Sequence, residues 1–213
     1  MNNIDDVLKR YIDIEEKIQL KKWLQDYDIS HDENVPLDKD KIKWLQLDYN
    51  GMQKFLEENY TDDNGNHIGW YNSMLYNVLG MKYLAYSNIV PGFNYLIGVI
   101  SNNINKQTIV ACLCYQKNRI WSLTQEEPVN FIQMIETNRF YRKQGIFNML
   151  VEKIMPCLNL NQDLVTTDEY DDGLSCHTVT RLKNTLEEQG FEKEVLTYTE
   201  YKERAKQKSL SKK

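Results

Sequence analysis

One stretch of the 213-residue chain gathers residue types that could do chemistry: Asn138-Arg139-Phe140-Tyr141-Arg142-Lys143-Gln144-Gly145-Ile146-Phe147-Asn148-Met149-Leu150. An apolar run ends just before it at Thr137, and Ile146, Leu150 and Ile154 recur at helical spacing within and beyond it. The first N–H groups of a helix lack partners inside the helix, so they can converge on an anion. Gly145 lets the main chain approach a ligand with no Cβ in the way. Arg139, Arg142 and Lys143 add positive charge there, in a chain whose 26 Lys+Arg are outnumbered by 31 Asp+Glu. This combination suits a phosphate-bearing ligand. It would equally serve as a solvated basic turn before an ordinary helix.

The elements that must position this turn follow from periodicity. Val129–Thr137 reads as the strand before it, and Gly145–Ile154, closed by Pro156, as the helix after it. Tyr95–Ile100 and Gln107–Tyr115 read as a hairpin about a polar turn. Lys41–Asp48 alternates as a strand, followed by a helix with Met52, Phe55 and Leu56 inward. A further helix is expected from Trp70 to Tyr83. Asp163–Thr167 is a short strand, and Val179, Leu182 and Leu186 mark the next helix. Gly190 sits where a left-handed C-terminal cap belongs, and Phe191 opens a last strand to Thr197. Strand runs broken by helices predict an α+β or mixed α/β domain with a mixed sheet.

The flanks differ from this body. Residues 1–40 are expected to form a helical extension, with Val7, Tyr11, Ile14 and Ile18 on one stripe. That stripe needs a surface, either the body of the protein or a second copy in a homodimer. Residues 41–200 form the expected domain, Tyr198–Lys208 reads as a helical tail to it, and 201–213 is basic and solvated.

Composition excludes several classes. Nine Gly and four Pro with 11% aromatics argue against a disordered or collagen-like chain. No apolar run approaches the roughly 20 residues of a membrane span, and the acidic N-terminus lacks the apolar core of a secretory signal. A cytoplasmic protein without membrane contact is the expectation. The formal charge of -5 weighs against a nucleic-acid partner, because such surfaces are dense in cations. No metal is expected, since there is no Cys-x-x-Cys pair and His31, His67 and His177 are scattered.

The segment Arg142-x-x-Gly145-x-Phe147, between strand and apolar helix, resembles the acyl-CoA-binding motif of the GNAT N-acetyltransferase superfamily. That motif reads Gln/Arg-x-x-Gly-x-Gly/Ala, often after an aromatic residue, as Tyr141 is here. Leu186-Glu187-Glu188-Gln189-Gly190-Phe191 looks like the end of that family's next helix, commonly Tyr-Glu-Lys-x-Gly-Phe. The element order matches from about Lys41 to Thr197. The resemblance implies a GNAT-like fold with an N-terminal helical extension, and acetyl-CoA as co-substrate. The coenzyme pyrophosphate would lie on the main chain of Arg142, Lys143, Gln144, Gly145, Ile146 and Phe147. The strand end at Ile135, Glu136 and Thr137 would pair with the pantetheine arm.

The implied reaction is direct attack of a primary amine, on a small molecule or a peptide, upon the thioester. A group must take the amine proton. Glu136, at the strand end, and His177, at a helix start, are the leading candidates. Tyr170 is a weaker proton donor. The turn Asp168–Asp172 holds four carboxylates, suited either to solvent or to a cationic substrate. Three positions depart from the family pattern: Phe147 for Gly or Ala, Leu186 for the frequent Tyr donor, and Val179 for the frequent Asn. Leu186 cannot give up a proton, which motivates an alternative: a non-catalytic acyl-CoA-binding sensor or interaction module.

Overall fold

Apolar, β-branched runs supply the strands, and a computed structural model describes residues 36–60, 81, 89–101, 107–120, 127–167 and 174–211. The strands β1 (Lys43–Leu47), β2 (Asn94–Ser101), β3 (Gln107–Arg119), β4 (Val129–Thr137), β5 (Leu164–Thr166) and β6 (Val195–Thr197) form one sheet in that order. β1 and β2 are antiparallel, whereas β4, β5 and β6 run parallel, so the sheet is mixed. The helices are α1 (Tyr49–Asn59), α2 (Ile146–Ile154), α3 (Leu174–Glu188) and α4 (Tyr198–Ser211). This is the mixed α/β class that the element order predicts. The expected extension at 1–35, the helix at Trp70–Tyr83 and the acidic turn at Asp168–Asp172 lie outside the described residues. No described helix is long and apolar enough to cross a membrane.

The chain divides into two compact units: 1–112 with 136–147, and 113–135 with 148–213. In the first, Lys43–Leu47 pairs with Val99–Tyr95. Trp44 stands opposite Gly98, and a Cβ on Gly98 would come within 2.9 Å of the indole ring. The bare backbone is what lets that ring lie down on β2. Asp48 caps α1, its Oδ1 accepting from Gly51 N–H at 2.7 Å. Met52, Phe55 and Leu56 are then buried. At the helix end, Asn59 Oδ1 accepts from Gln107 N–H (2.8 Å) and, one residue on, Tyr60 Oη accepts from Ile109 N–H (2.7 Å). The start of β3 is thereby tied to the end of α1.

In the second unit, Asn130, Phe131 and Ile132 stand opposite Leu164, Val165 and Thr166, which in turn stand opposite Val195, Leu196 and Thr197. Asn130 is wholly buried; its Nδ2 donates to Asn159 O (2.8 Å) and its Oδ1 accepts from Asn159 N–H (2.9 Å). α3 ends as Gly190 predicts. Gly190 has φ +84°, its N–H bonds Glu187 O at 3.0 Å, and Phe191 N–H bonds Leu186 O at 2.9 Å. Phe191 is therefore spent on the cap, and the last strand begins only at Val195.

The residues after Thr197 form the helix expected over Tyr198–Lys208, but a docked one in place of a solvated tail. Thr197-Tyr198-Thr199-Glu200 is a capping box: Thr197 N–H donates to Glu200 Oε2 (2.7 Å), and Glu200 N–H donates back to Thr197 Oγ1 (3.3 Å). The chain thus turns from β6 straight into α4. There Tyr201 is buried, and Arg204 bridges Asp163 (2.8 Å) and Glu194. Because a buried aromatic leaves a large cavity when truncated, Tyr201→Ala should cost about 3 kcal/mol. Urea denaturation measures it; a change near zero would mean that α4 is not docked.

Candidate functional site

The site begins with Asn138, the residue that ends β4. It is 1% exposed, and its hydrogen bonds hold the strand end and start the turn. Its N–H donates to Val110 O (2.9 Å) and its Nδ2 to Ile109 O (2.9 Å), fixing the strand end to β3. Its Oδ1 accepts from Phe140 N–H (3.1 Å), and its carbonyl from Tyr141 N–H (3.0 Å). These last two bonds wind Arg139–Tyr141 into a 3-10 turn.

Beyond this turn the backbone changes direction sharply. Arg142 is extended, Lys143 has φ +62° and Gly145 has φ +80°, after which α2 starts at Ile146. A side chain is strained at φ +62°, so Lys143 holds a conformation that costs energy, whereas glycine adopts its own freely. The turn is braced from two sides. Arg142 Nε donates to Thr137 O at 3.3 Å, and Gln144 Oε1 accepts from Leu37 N–H at 2.9 Å. The guanidinium of Arg139 lies 4.9 Å from the centre of the Phe140 ring. Lys39 Nζ lies 3.5 Å from where a Cβ on Gly145 would stand. Burial raises the Tyr141 hydroxyl above its ordinary pKa, so it keeps its proton at neutral pH.

The candidate coenzyme residues from Glu136 to Phe147 therefore fall in one unit and share this turn, with Ile135 preceding them on β4. Ile146 is buried and Phe147 half-buried. What the turn can offer an anion is main chain and the cations around it. Glu136 is 5% exposed, buried near the end of β4. Buried Thr137 Oγ1 has no partner among the described residues. His177 lies in the first turn of α3, with its side chain outside the description, and Tyr170 lies outside the described residues. Among the described residues no three His, Cys, Asp or Glu group as metal ligands.

Sequence reasoning missed Asn138 and Lys39. An Asn directly after an apolar strand is a turn-initiating residue, and that signal was available for Asn138. Nothing in the sequence links Lys39 to a glycine more than a hundred positions away.

No protein-family model and no curated protein matches the chain. Solved structures do. An aminoglycoside acetyltransferase from an uncultured soil metagenomic sample, in complex with trehalose, is 15% identical, with 68% of this chain and 89% of that one covered and a TM-score of 0.41. AAC(6')-Iy in complex with the bisubstrate analogue CoA-S-monomethyl-acetylneamine is 11% identical over 66% and 88%, with a TM-score of 0.38. NAA60 of Arabidopsis thaliana with a bisubstrate analogue is 11% identical over 55% and 66%, with a TM-score of 0.32. The six-stranded mixed sheet, the basic turn between β4 and α2, and α3 closed by Gly190-Phe191 are the order the sequence resemblance implies.

The departures from the GNAT motifs have a physical reading. Leu186, at the place of the frequent Tyr, is wholly buried and serves the core and the α3 cap. Val179 is half-buried and apolar. Both offer packing in place of a polar contact. The turn itself rests on Asn138. Asn138→Ala strips Ile109 O of a buried partner and should cost about 2 kcal/mol. Asn138→Asp should do no better, because a carboxylate cannot donate to that carbonyl. Chemical denaturation of both variants checks this, and a stable Asp variant would count against the bond.

Proposed function

We propose that this protein is an acyl-CoA-dependent N-acyltransferase that moves an acetyl group from acetyl-CoA to a primary amine. The observation that carries the reading is the basic turn Arg139–Gly145 at the start of α2, with glycine in the left-handed conformation at its last position. The main chain of Arg142 to Phe147 would take the coenzyme pyrophosphate through the unpaired N–H groups of a helix start. The main chain of Ile135, Glu136 and Thr137 would accept the pantetheine arm as an added strand does.

The amine nitrogen attacks the thioester carbonyl, the C–S bond breaks, and coenzyme A leaves as the thiol. The amine proton must go to a base within hydrogen-bond reach. Glu136 is our first candidate, with His177 and Tyr170 as the remaining proton-transfer groups. Leu186 donates nothing, so the thiolate takes its proton from another group or from water. The acceptor is an amine on a small molecule or a peptide; the matched acetyltransferases span both an aminoglycoside-modifying enzyme and NAA60.

Incubation with acetyl-CoA and a panel of amines, with free thiol measured, tests the reading. Thiol release on at least one amine is expected. Tight coenzyme binding with no turnover on any amine would sink the enzyme and leave the sensor, the alternative that buried Leu186 favours. Gly145→Glu should abolish coenzyme binding while circular dichroism stays unchanged. An unaltered affinity would remove the basis of the assignment. Glu136→Gln should lower kcat roughly 100-fold with coenzyme affinity kept; a loss of affinity instead would make Glu136 structural.

A further inference from the structure

The segment before β1 reaches the turn. Leu37 N–H donates to Gln144 Oε1 at 2.9 Å, and Asp38 Oδ1 accepts from Asp40 N–H at 3.2 Å, starting a 3-10 turn over Lys39–Lys41. Ile42 N–H closes it on Lys39 O at 3.1 Å, and Ile42 is buried at the head of β1. Lys39 is thus held between two anchors, Gln144 before it and Ile42 after it. Its ammonium comes to 3.5 Å from the vacant Cβ position of Gly145, and among the described residues, the glycine's own chain neighbours aside, no other atom lies within 4 Å of that position. Among the described residues no carboxylate pairs with Lys39, although its neighbour Lys41 pairs with Asp38 at 3.5 Å.

Lys39 is exposed, and its ammonium adds to the positive charge of Arg142, Lys143 and a helix start, a field that favours an anion beside Gly145. We propose that Lys39 is a ligand-binding residue: its ammonium contacts the pyrophosphate of the coenzyme on the open side of Gly145, and Gln144 is the positioning residue that holds it there. This rests on the coenzyme reading of the turn. It assigns to the segment before β1 a part in that site which no sequence motif carries.

The experiment is calorimetric titration of coenzyme A, 3'-dephospho-coenzyme A and pantetheine into the full chain and three variants. Lys39→Met keeps the aliphatic stem and removes the charge. It should weaken both coenzyme A and the dephospho form by about tenfold, as expected for one charge-assisted phosphate contact. Lys39→Arg should restore most of that loss. Gln144→Leu should weaken both forms in the same direction, with the melting temperature of Lys39→Met unchanged. Pantetheine, which has no pyrophosphate, should be indifferent to Lys39. Unchanged affinity in Lys39→Met, in a protein that binds coenzyme A, overturns this inference and leaves the transferase reading intact. A loss confined to coenzyme A and absent with the dephospho form overturns it too, since the contact would then be to the 3'-phosphate. Failure of the wild-type chain to bind coenzyme A would instead overturn the reading beneath it.

Discussion

Asn138 is a single side chain that settles two questions at once. By donating to Ile109 O and accepting from Phe140 N–H, it fixes where β4 stops and starts the turn that follows. A buried amide with its donors and acceptors engaged resists replacement, because any shift strands a polar group away from water. The left-handed Lys143 and Gly145 and the start of α2 all come after this anchor in the chain. A strand that frayed at its end could not present a helix start at a constant place. Strain at Lys143 belongs to the same design, since energy stored at a non-glycine left-handed residue persists only where neighbours over-determine the backbone.

Around that anchor the molecule separates packing from polar service. Leu186, Ile146 and Leu150 are buried apolar residues, and the departures from the GNAT pattern at Leu186 and Val179 run toward the apolar side. Polarity is concentrated in the turn and in a few buried amides: Asn138, Asn130 and Asn59, each hydrogen-bonded to main chain. Asn59 ties a helix end to a strand, and Asn130 ties a strand to the loop at Asn159. Amides suit this work because one side chain can both donate and accept with no charge to desolvate.

The strands and helices were legible because each carries a strong period. β4 runs over Val129–Thr137 as its apolar pattern predicts, and α2 begins within one residue of the expected start. The left-handed cap at Gly190 was legible for a local reason, since only the residues at that helix end decide it. Phe191, expected to open the strand, serves the cap instead, because periodicity carries no information on which carbonyl a main-chain N–H will find. α4 shows the same limit from the other side. Its Lys-rich composition suggested a solvated tail, while the capping box at Thr197 and Glu200 and the buried Tyr201 dock it. The box was readable; the docking was not.

By itself the sequence determined the mixed α/β class, the strand–turn–helix placement of the basic segment, and the glycine that frees the turn. These are set by interactions among residues a few positions apart. Tertiary structure alone decided that Glu136 is buried, that Asn138 grips β3, and that Gln144 and Gly145 meet Leu37 and Lys39. Such contacts join residues from about thirty to over a hundred positions apart, and their chain entropy is offset only when the whole sheet forms. A local pattern therefore names the turn, but the fold selects which cations surround it.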